Sequence, residues 1–234
     1  LYGRYCGDYM ENDEIILDST LENDLSSHKN MIYLFFKRLF DIIISLIGII
    51  PLIILIIVVK IVYICSGDFK TIFYKHTRVG KNGKKFGLYK FRTMVPNSAE
   101  ILKELLKKPD YAKEWKENHK FENDPRITKM GKILRKTSLD EVPQILNILK
   151  GEMSIIGPRP VLDEEVEEYG KNKEKLLSVR PGLTGWWACN SRSDTSNEER
   201  MKLELYYVDH MSLKLDIKVF FKTIIKVIKK EGAK

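Results

Sequence analysis

Hydrophobic and polar positions give the 234-residue chain several distinct textures. Residues 1–30 are acidic and polar and carry no sustained apolar period, so a weakly ordered lead-in is expected there. From Ile42 to Val59 the chain reads IIISLIGIIPLIILIIVV without a charge, which at ~18 residues meets the length of a membrane helix. Few soluble helices are apolar on every side, which disfavours a core helix. Residues 71–94 hold two β-prone runs around Lys81-Asn82-Gly83, the pattern of a hairpin. Residues 98–121 look helical and charged, with a break near Pro109. Near the C-terminus, LDIKVFFKTIIKVIKK sets Lys218, Lys222, Lys226 and Lys229 against Ile217, Phe220, Phe221, Ile224, Ile225 and Ile228. That is a basic amphipathic helix suited to an anionic lipid surface. A helix packed on its own domain with a solvated lysine face has the same pattern.

Two features complicate the apolar segment. Pro51 removes a backbone hydrogen bond in its middle. Basic residues flank it on both sides, with Lys37 and Arg38 before and Lys60, Lys70 and Lys75 after, and the positive-inside rule draws both ends to the cytoplasmic face. Each half is only about 13 Å long at 1.5 Å per residue, too short for ~30 Å of hydrocarbon. A bent, re-entrant helix over residues 31–64 satisfies both facts. A spanning helix stays open, since proline is tolerated in spanning segments.

Charge narrows the partners. The formal net charge is +8, which favours an anionic partner such as a phospholipid surface, a phosphorylated substrate or nucleic acid. No recognised nucleic-acid motif accompanies it. The three cysteines are scattered with no C-x-x-C, so a disulfide framework is not expected. The four histidines lack zinc spacing, and any metal should be a hard ion held by carboxylates.

The chemistry-bearing stretch runs from Thr137 to Pro160, TSLDEVPQILNILKGEMSIIGPRP. Ser138-x-x-Glu141 matches a capping box, which would make Asp140 and Glu141 ordinary first-turn acids. Pro143 argues for a later start with Asp140 as the cap, because that start puts the proline in the tolerant first turn. Both readings put the acids at a helix N-terminus, where phosphate also binds. There Asp140 is a candidate nucleophile and Glu141 a candidate metal ligand. Arg126, Arg135, Arg159 and Arg180 lie in turn-rich contexts, and prolines stiffen the last two. Singly each reads as a surface arginine; together they suit bidentate phosphate contacts. Trp186-Trp187 and Tyr206-Tyr207 read as core for at least one member of each pair, with an interfacial or stacking role open for the other.

In chain order, KRLFD, FRTM, NDPRIT, LRKTSLDEVPQ, GEMSIIGPRP and RPGLTGW resemble the monotopic phosphoglycosyl transferases, or bacterial sugar transferases, across residues 31–230. The resemblance implies a mostly α, α/β monotopic membrane protein. It would have a re-entrant helix at 31–64, a cytosolic catalytic domain at 65–234, and interfacial amphipathic helices. It implies transfer of a sugar-1-phosphate from a nucleotide sugar, usually a UDP-sugar, to polyprenyl phosphate at the cytoplasmic face of the inner membrane, with Mg²⁺. On that pattern Asp140 attacks the sugar-linked phosphate and releases UMP, while Glu141 and Asp140 hold the metal. Arg159 and Arg135 face the phosphates, Arg180 and Arg192 lie on the nucleotide side, and Lys37, Arg38 and Pro51 set the membrane geometry. The chain departs from the family at Ile50-Pro51, where Ser-Pro is common, and in WWACNSR, where W-x-Q-x-N-G-R is usual. A competing class is a non-catalytic basic membrane adaptor. It leaves the acidic pair among proline-stiffened arginines unexplained.

Overall fold

In a computed structural model the described residues are 5–118, 121–190 and 195–229, with side chains from Met31 onward. The chain divides into two compact units, Leu1–Phe40 and Asp41–Lys234. Helix α1 (Tyr5–Cys65) belongs to both and is helical through Pro51. In the first unit Phe35, Phe36 and Met31 are exposed, and Lys37 reaches over the Tyr33 ring. The stretch Met31–Cys65 is long and apolar enough to cross a membrane.

In the second unit, one stripe of α1 is buried and the rest is bare. Asp41, Ser45, Leu52, Val59 and Tyr63 are buried, at spacings of three and four residues or their sums, the repeat of one helix face. Gly48 fills the remaining place on that stripe. A Cβ there would lie 2.6 Å from Ile145 Cδ1, so glycine permits the approach. On the other sides Ile43, Leu46, Ile47, Ile50, Ile53, Ile54, Ile57 and Ile61 are exposed, and so is Pro51.

Strands β1 (Phe73–Val79) and β2 (Lys85–Phe91) form the expected antiparallel hairpin, with Phe73 opposite Phe91. Its turn uses Asn82 and Gly83 at positive φ. Helices α2 (Ser98–Leu105) and α3 (Pro109–Asn118) follow, separated at the expected break. Helix α4 (Lys129–Lys136) starts at Thr128, whose hydroxyl accepts the Gly131 N–H. Leu52, Val59 and Tyr63 pack with Ile72, Phe91 and Leu134 into one core. Arg92 clamps this corner by donating to Thr71 O, Met94 O and Asp68, with its plane over the Tyr63 ring.

After α4 the chain makes a 3₁₀ turn, Leu139–Gln144, and then helix α5 (Ile145–Leu149). Neither capping reading holds. Ser138 has φ 55° and caps nothing with its side chain, because it is the left-handed residue that ends α4, its N–H bonded to Arg135 O. A capping Ser needs an extended backbone. Asp140 and Glu141 therefore sit within the 3₁₀ turn, and the α-helix waits until Pro143 has passed. Asn147, fully buried, fastens α5 to β2 through Tyr89 N and Gly87 O.

Strand β3 (Ser154–Ile156) precedes helices α6 (Asp163–Glu168) and α7 (Lys173–Leu177). It pairs in parallel with β4 (Gly182–Thr184). Helix α8 (Trp186–Asn190) leads to α9 (Asn197–Asp209) and α10 (Leu213–Ile228), each of the last two capped by a serine, Ser196 and Ser212. The mostly helical α/β class is as expected.

Candidate active site

Beta-strand 2, the 3₁₀ turn, the β3–α6 loop, β4–α8 and α9 together enclose a cavity of about 300 Å³, at the lower end of the size of small-molecule sites. Its charged lining includes Arg78, Lys90, Glu141, Arg159 and Glu204. Glu141 accepts from Lys90 Nζ at 2.7 Å. Asp140, beside it, is half-buried. Burial first, and then the charge of Glu141, push the Asp140 carboxyl above its usual range, against the pull of Lys90 and Arg135. A carboxylate raised in this way is the more basic and the better nucleophile.

The Gly157-Pro158-Arg159-Pro160 loop also lines the cavity. Arg159 donates to Glu165 Oε1 at 2.9 Å, and Arg78 donates to Glu165 Oε2 at 3.2 Å. Arg200 lies 3.6 Å from the same carboxylate. Burial works against charge on Glu165. The Leu162 N–H and the arginines outweigh it and hold the carboxyl below its ordinary value. One carboxylate facing three guanidiniums leaves an excess of positive charge, which suits phosphate. His76 Nδ1 lies 3.2 Å from Arg78. Burial, then the charge of Arg78, lower the pKa of this imidazole.

Deeper in, Glu204 is 2% exposed, and its Oε2 accepts from the Tyr169 hydroxyl at 2.8 Å. Burial pushes its carboxyl up to about 7 although Tyr169 and Arg200 favour the anion. Tyr207, also buried, bonds Asp216 at 2.6 Å and ties α9 to α10. Trp186 and Trp187 both line the cavity, and Trp186 also stacks on Tyr206 beneath Lys218 and Lys222.

Glu141 and Arg159 thus share the cavity lining; Asp140, next in the chain to Glu141, is not among the lining residues, and Arg135 acts on it from α4 while donating to Thr93 Oγ1. Arg180 is directed elsewhere, donating to Gly151 O, and is absent from the cavity lining. Arg126 pairs with Asp124 through two bonds and is 6% exposed, so it serves the fold. Lys37 and Arg38 lie in the first unit, and Arg192 lies outside the described residues. Arg78, Lys90, Glu165, Arg200 and Glu204 are the residues that sequence reading missed. Arg78 and Glu165 stand 87 positions apart, and no local spacing announces the pair. Tyr74, His76 and Arg78 on one strand face were a weak signal, since polar residues at every second position mark a shared wall.

Among the described residues no three His, Cys, Asp or Glu side chains converge on one point. Two adjacent carboxylates without a third ligand fit Mg²⁺, which binds through one or two carboxylates and completes its shell with waters and substrate phosphates.

Residues 32–230 match the profile of a family described as bacterial sugar transferase. The chain is 42% identical over 234 residues to the UDP-galactose-lipid carrier transferase of Erwinia amylovora, covering all of this chain and 48% of that protein. It is 41% identical over 214 residues to the undecaprenyl-phosphate galactose phosphotransferase of Salmonella typhimurium, covering 91% and 44%. It is 43% identical over 199 residues to the exopolysaccharide production protein ExoY of Sinorhizobium fredii, covering 84% and 87%. The chain spans about half the length of the first two of these relatives.

Proposed function

The chain belongs to the bacterial sugar transferase family, and we propose that it transfers a sugar-1-phosphate from a UDP-sugar to a polyprenyl phosphate, undecaprenyl phosphate in particular. The observation that carries this reading is the pairing of Glu141, the neighbour of Asp140, with Lys90 at the wall of a cavity that Arg78 and Arg159, both bonded to Glu165, also line. The names of the Erwinia and Salmonella relatives point to the same chemistry.

In the proposed reaction the Asp140 carboxylate attacks the sugar-linked phosphorus. The bond to the bridging oxygen breaks, UMP departs, and an aspartyl phosphosugar remains. An oxygen of the polyprenyl phosphate then attacks that phosphorus, releases the Asp140 carboxylate and gives a polyprenyl diphosphate sugar. Two displacements replace one difficult transfer. Arg159 and Arg78 orient the donor's phosphates and draw off charge as it builds on their oxygens. Lys90 holds the Glu141 side chain at the cavity wall. Glu141 with Asp140 would hold Mg²⁺, which when bound supplies further neutralisation of phosphate charge.

The proposed setting is the cytoplasmic face of the inner membrane, with residues 31–64 re-entrant. Support comes from both ends of the apolar run. Asp41 accepts from Ser154 Oγ and Ile155 N, and Tyr63 donates to Arg92 O. Hydrogen bonds from one folded unit to both ends of the run favour a re-entrant path over a spanning one. On α10, Phe221, Ile225 and Ile228 point outward, whereas Lys222 and Lys226 reach Asn190 and Ala188 O on α8. That arrangement suits an interfacial helix better than one with a solvated lysine face.

The decisive assay incubates the chain with UDP-galactose, undecaprenyl phosphate and Mg²⁺ and follows UMP release and lipid-linked sugar. Asp140→Asn is expected to lower turnover about a thousandfold or more. A variant with wild-type turnover ends the role of Asp140 as nucleophile. A wild type that transfers no sugar phosphate from any UDP-sugar ends the reading itself.

A further inference from the structure

Three side chains that line the cavity each carry a buried polar atom with no hydrogen-bond partner among the described residues: Glu204 Oε1, Trp187 Nε1 and Arg78 Nε. Buried polar groups in folded proteins are nearly always paired, and unpaired ones gathered in a single cavity are the mark of what the cavity receives. Glu204 is more than nine-tenths buried, and its other oxygen is already fixed by Tyr169. The orientation of Oε1 is therefore set by the protein before any ligand arrives. The indole N–H of Trp187 can only donate, the Arg78 Nε–H can only donate, and Glu204 Oε1 accepts. The complement is a rigid group with acceptors and a donor side by side. A ring with neighbouring hydroxyls is such a group, because each hydroxyl does both. Ionised phosphate oxygens only accept, so they do not complement Glu204 in its carboxylate form.

We propose that Glu204 and Trp187, with Arg78 Nε, form a subsite that recognises the hydroxyls of a sugar ring of the donor. This rests on the reading of the cavity as a nucleotide-sugar site and assigns its inner end. Arg78 would link the two ends: its NH1 lies on Glu165 beside Arg159, toward the phosphates, and its Nε serves the ring. Either the transferred hexose or the ribose of the nucleotide offers that chemistry.

The full chain in nanodiscs, titrated calorimetrically with UDP-galactose, UDP and UMP, separates these sources. Trp187→Phe removes the donor N–H and keeps an aromatic ring. Glu204→Gln keeps the volume and an acceptor for Tyr169. Both variants are expected to bind UDP-galactose roughly 10- to 100-fold more weakly. If UDP and UMP keep their affinities, the ring recognised is the hexose. If all three ligands weaken together, it is the ribose. Unchanged UDP-galactose affinity in Trp187→Phe, or in a folded Glu204→Gln, overturns the subsite, as does a wild type that binds none of the three. A wild type that binds UDP-galactose but transfers nothing leaves the subsite standing and removes only the catalytic reading.

Discussion

Glu165 and Glu204 occupy the same part of the molecule and respond to pH in opposite senses. Glu165 has a depressed carboxyl, so its contribution to stability is complete above the unfolded value near 4.5 and is lost as pH falls through the folded value. Replacing it by glutamine leaves Arg78, Arg159 and Arg200 facing one another. A loss of about 2–4 kcal/mol is expected, somewhat less than the roughly 3–5 kcal/mol for a fully buried pair because Glu165 is partly exposed, and denaturant unfolding at pH 7 would measure it. Wild-type stability in Glu165→Gln would mean that solvent already screens the cluster. Glu204 is raised from 4.5 to about 7. Over that interval the folded protein holds a proton that the unfolded chain has released, so stability declines as pH climbs from about 4.5 to about 7 and levels off above. The groups around it are Tyr169, Arg200, Arg159 and Glu165. Glu204→Gln cannot titrate. Its melting temperature should therefore gain on the wild type between pH 5 and pH 8, and an equal difference at both pH values would refute the assignment.

At the scale of elements, Gly182 shows how tightly the arginine loop is built. A Cβ there would collide with Gly157 N and Thr184 O, because β3 and β4 meet at that point with no room between backbones. Gly182→Ala is expected to cost roughly 2–4 kcal/mol and to displace Arg159, so both melting temperature and UMP affinity should fall. Asp41 plays the matching part on α1. Without its carboxylate the Ile155 N–H is left buried and unpaired, at about 1–3 kcal/mol for Asp41→Ala, and a melting temperature unchanged in that variant would show that the bond is dispensable. Much of this scale was legible in the sequence. The hairpin declared itself through β-prone runs about Asn82-Gly83, and the α2–α3 break through Pro109. The turn carrying Asp140 was misread because Ser138 serves the end of α4, and a capping pattern is blind to what precedes it. Asp140 and Glu141 stood out as candidates because they are adjacent in the sequence, close before Pro143 and within the LRKTSLDEVPQ stretch. Lys90, Arg78 and Glu165 were not, since hairpin and loop meet only after folding.

For the whole molecule, the exposed apolar faces of α1 and α10 define what holds it at lipid. Hydrophobic insertion is insensitive to salt, whereas lysine contacts with anionic headgroups are screened within about 3 Å at 1 M ionic strength. Membranes washed at 1 M salt are therefore expected to keep the protein, and detergent to release it; release by salt alone would mean that the lysines do the anchoring. Single cysteines placed at either end of residues 31–64 should label from the cytoplasmic side only, and labelling of one end from outside would refute re-entry. The buried stripe of α1 has a further consequence. Leu52, Val59 and Tyr63 are part of the core that also contains Phe91 and Leu134, so cutting away the membrane helix opens that core to water and invites aggregation. A water-soluble version calls for repainting. With Asp41, Ser45, Gly48, Leu52, Val59 and Tyr63 kept, polar residues at the outward isoleucines would leave the catalytic unit its inner wall and remove its need for lipid.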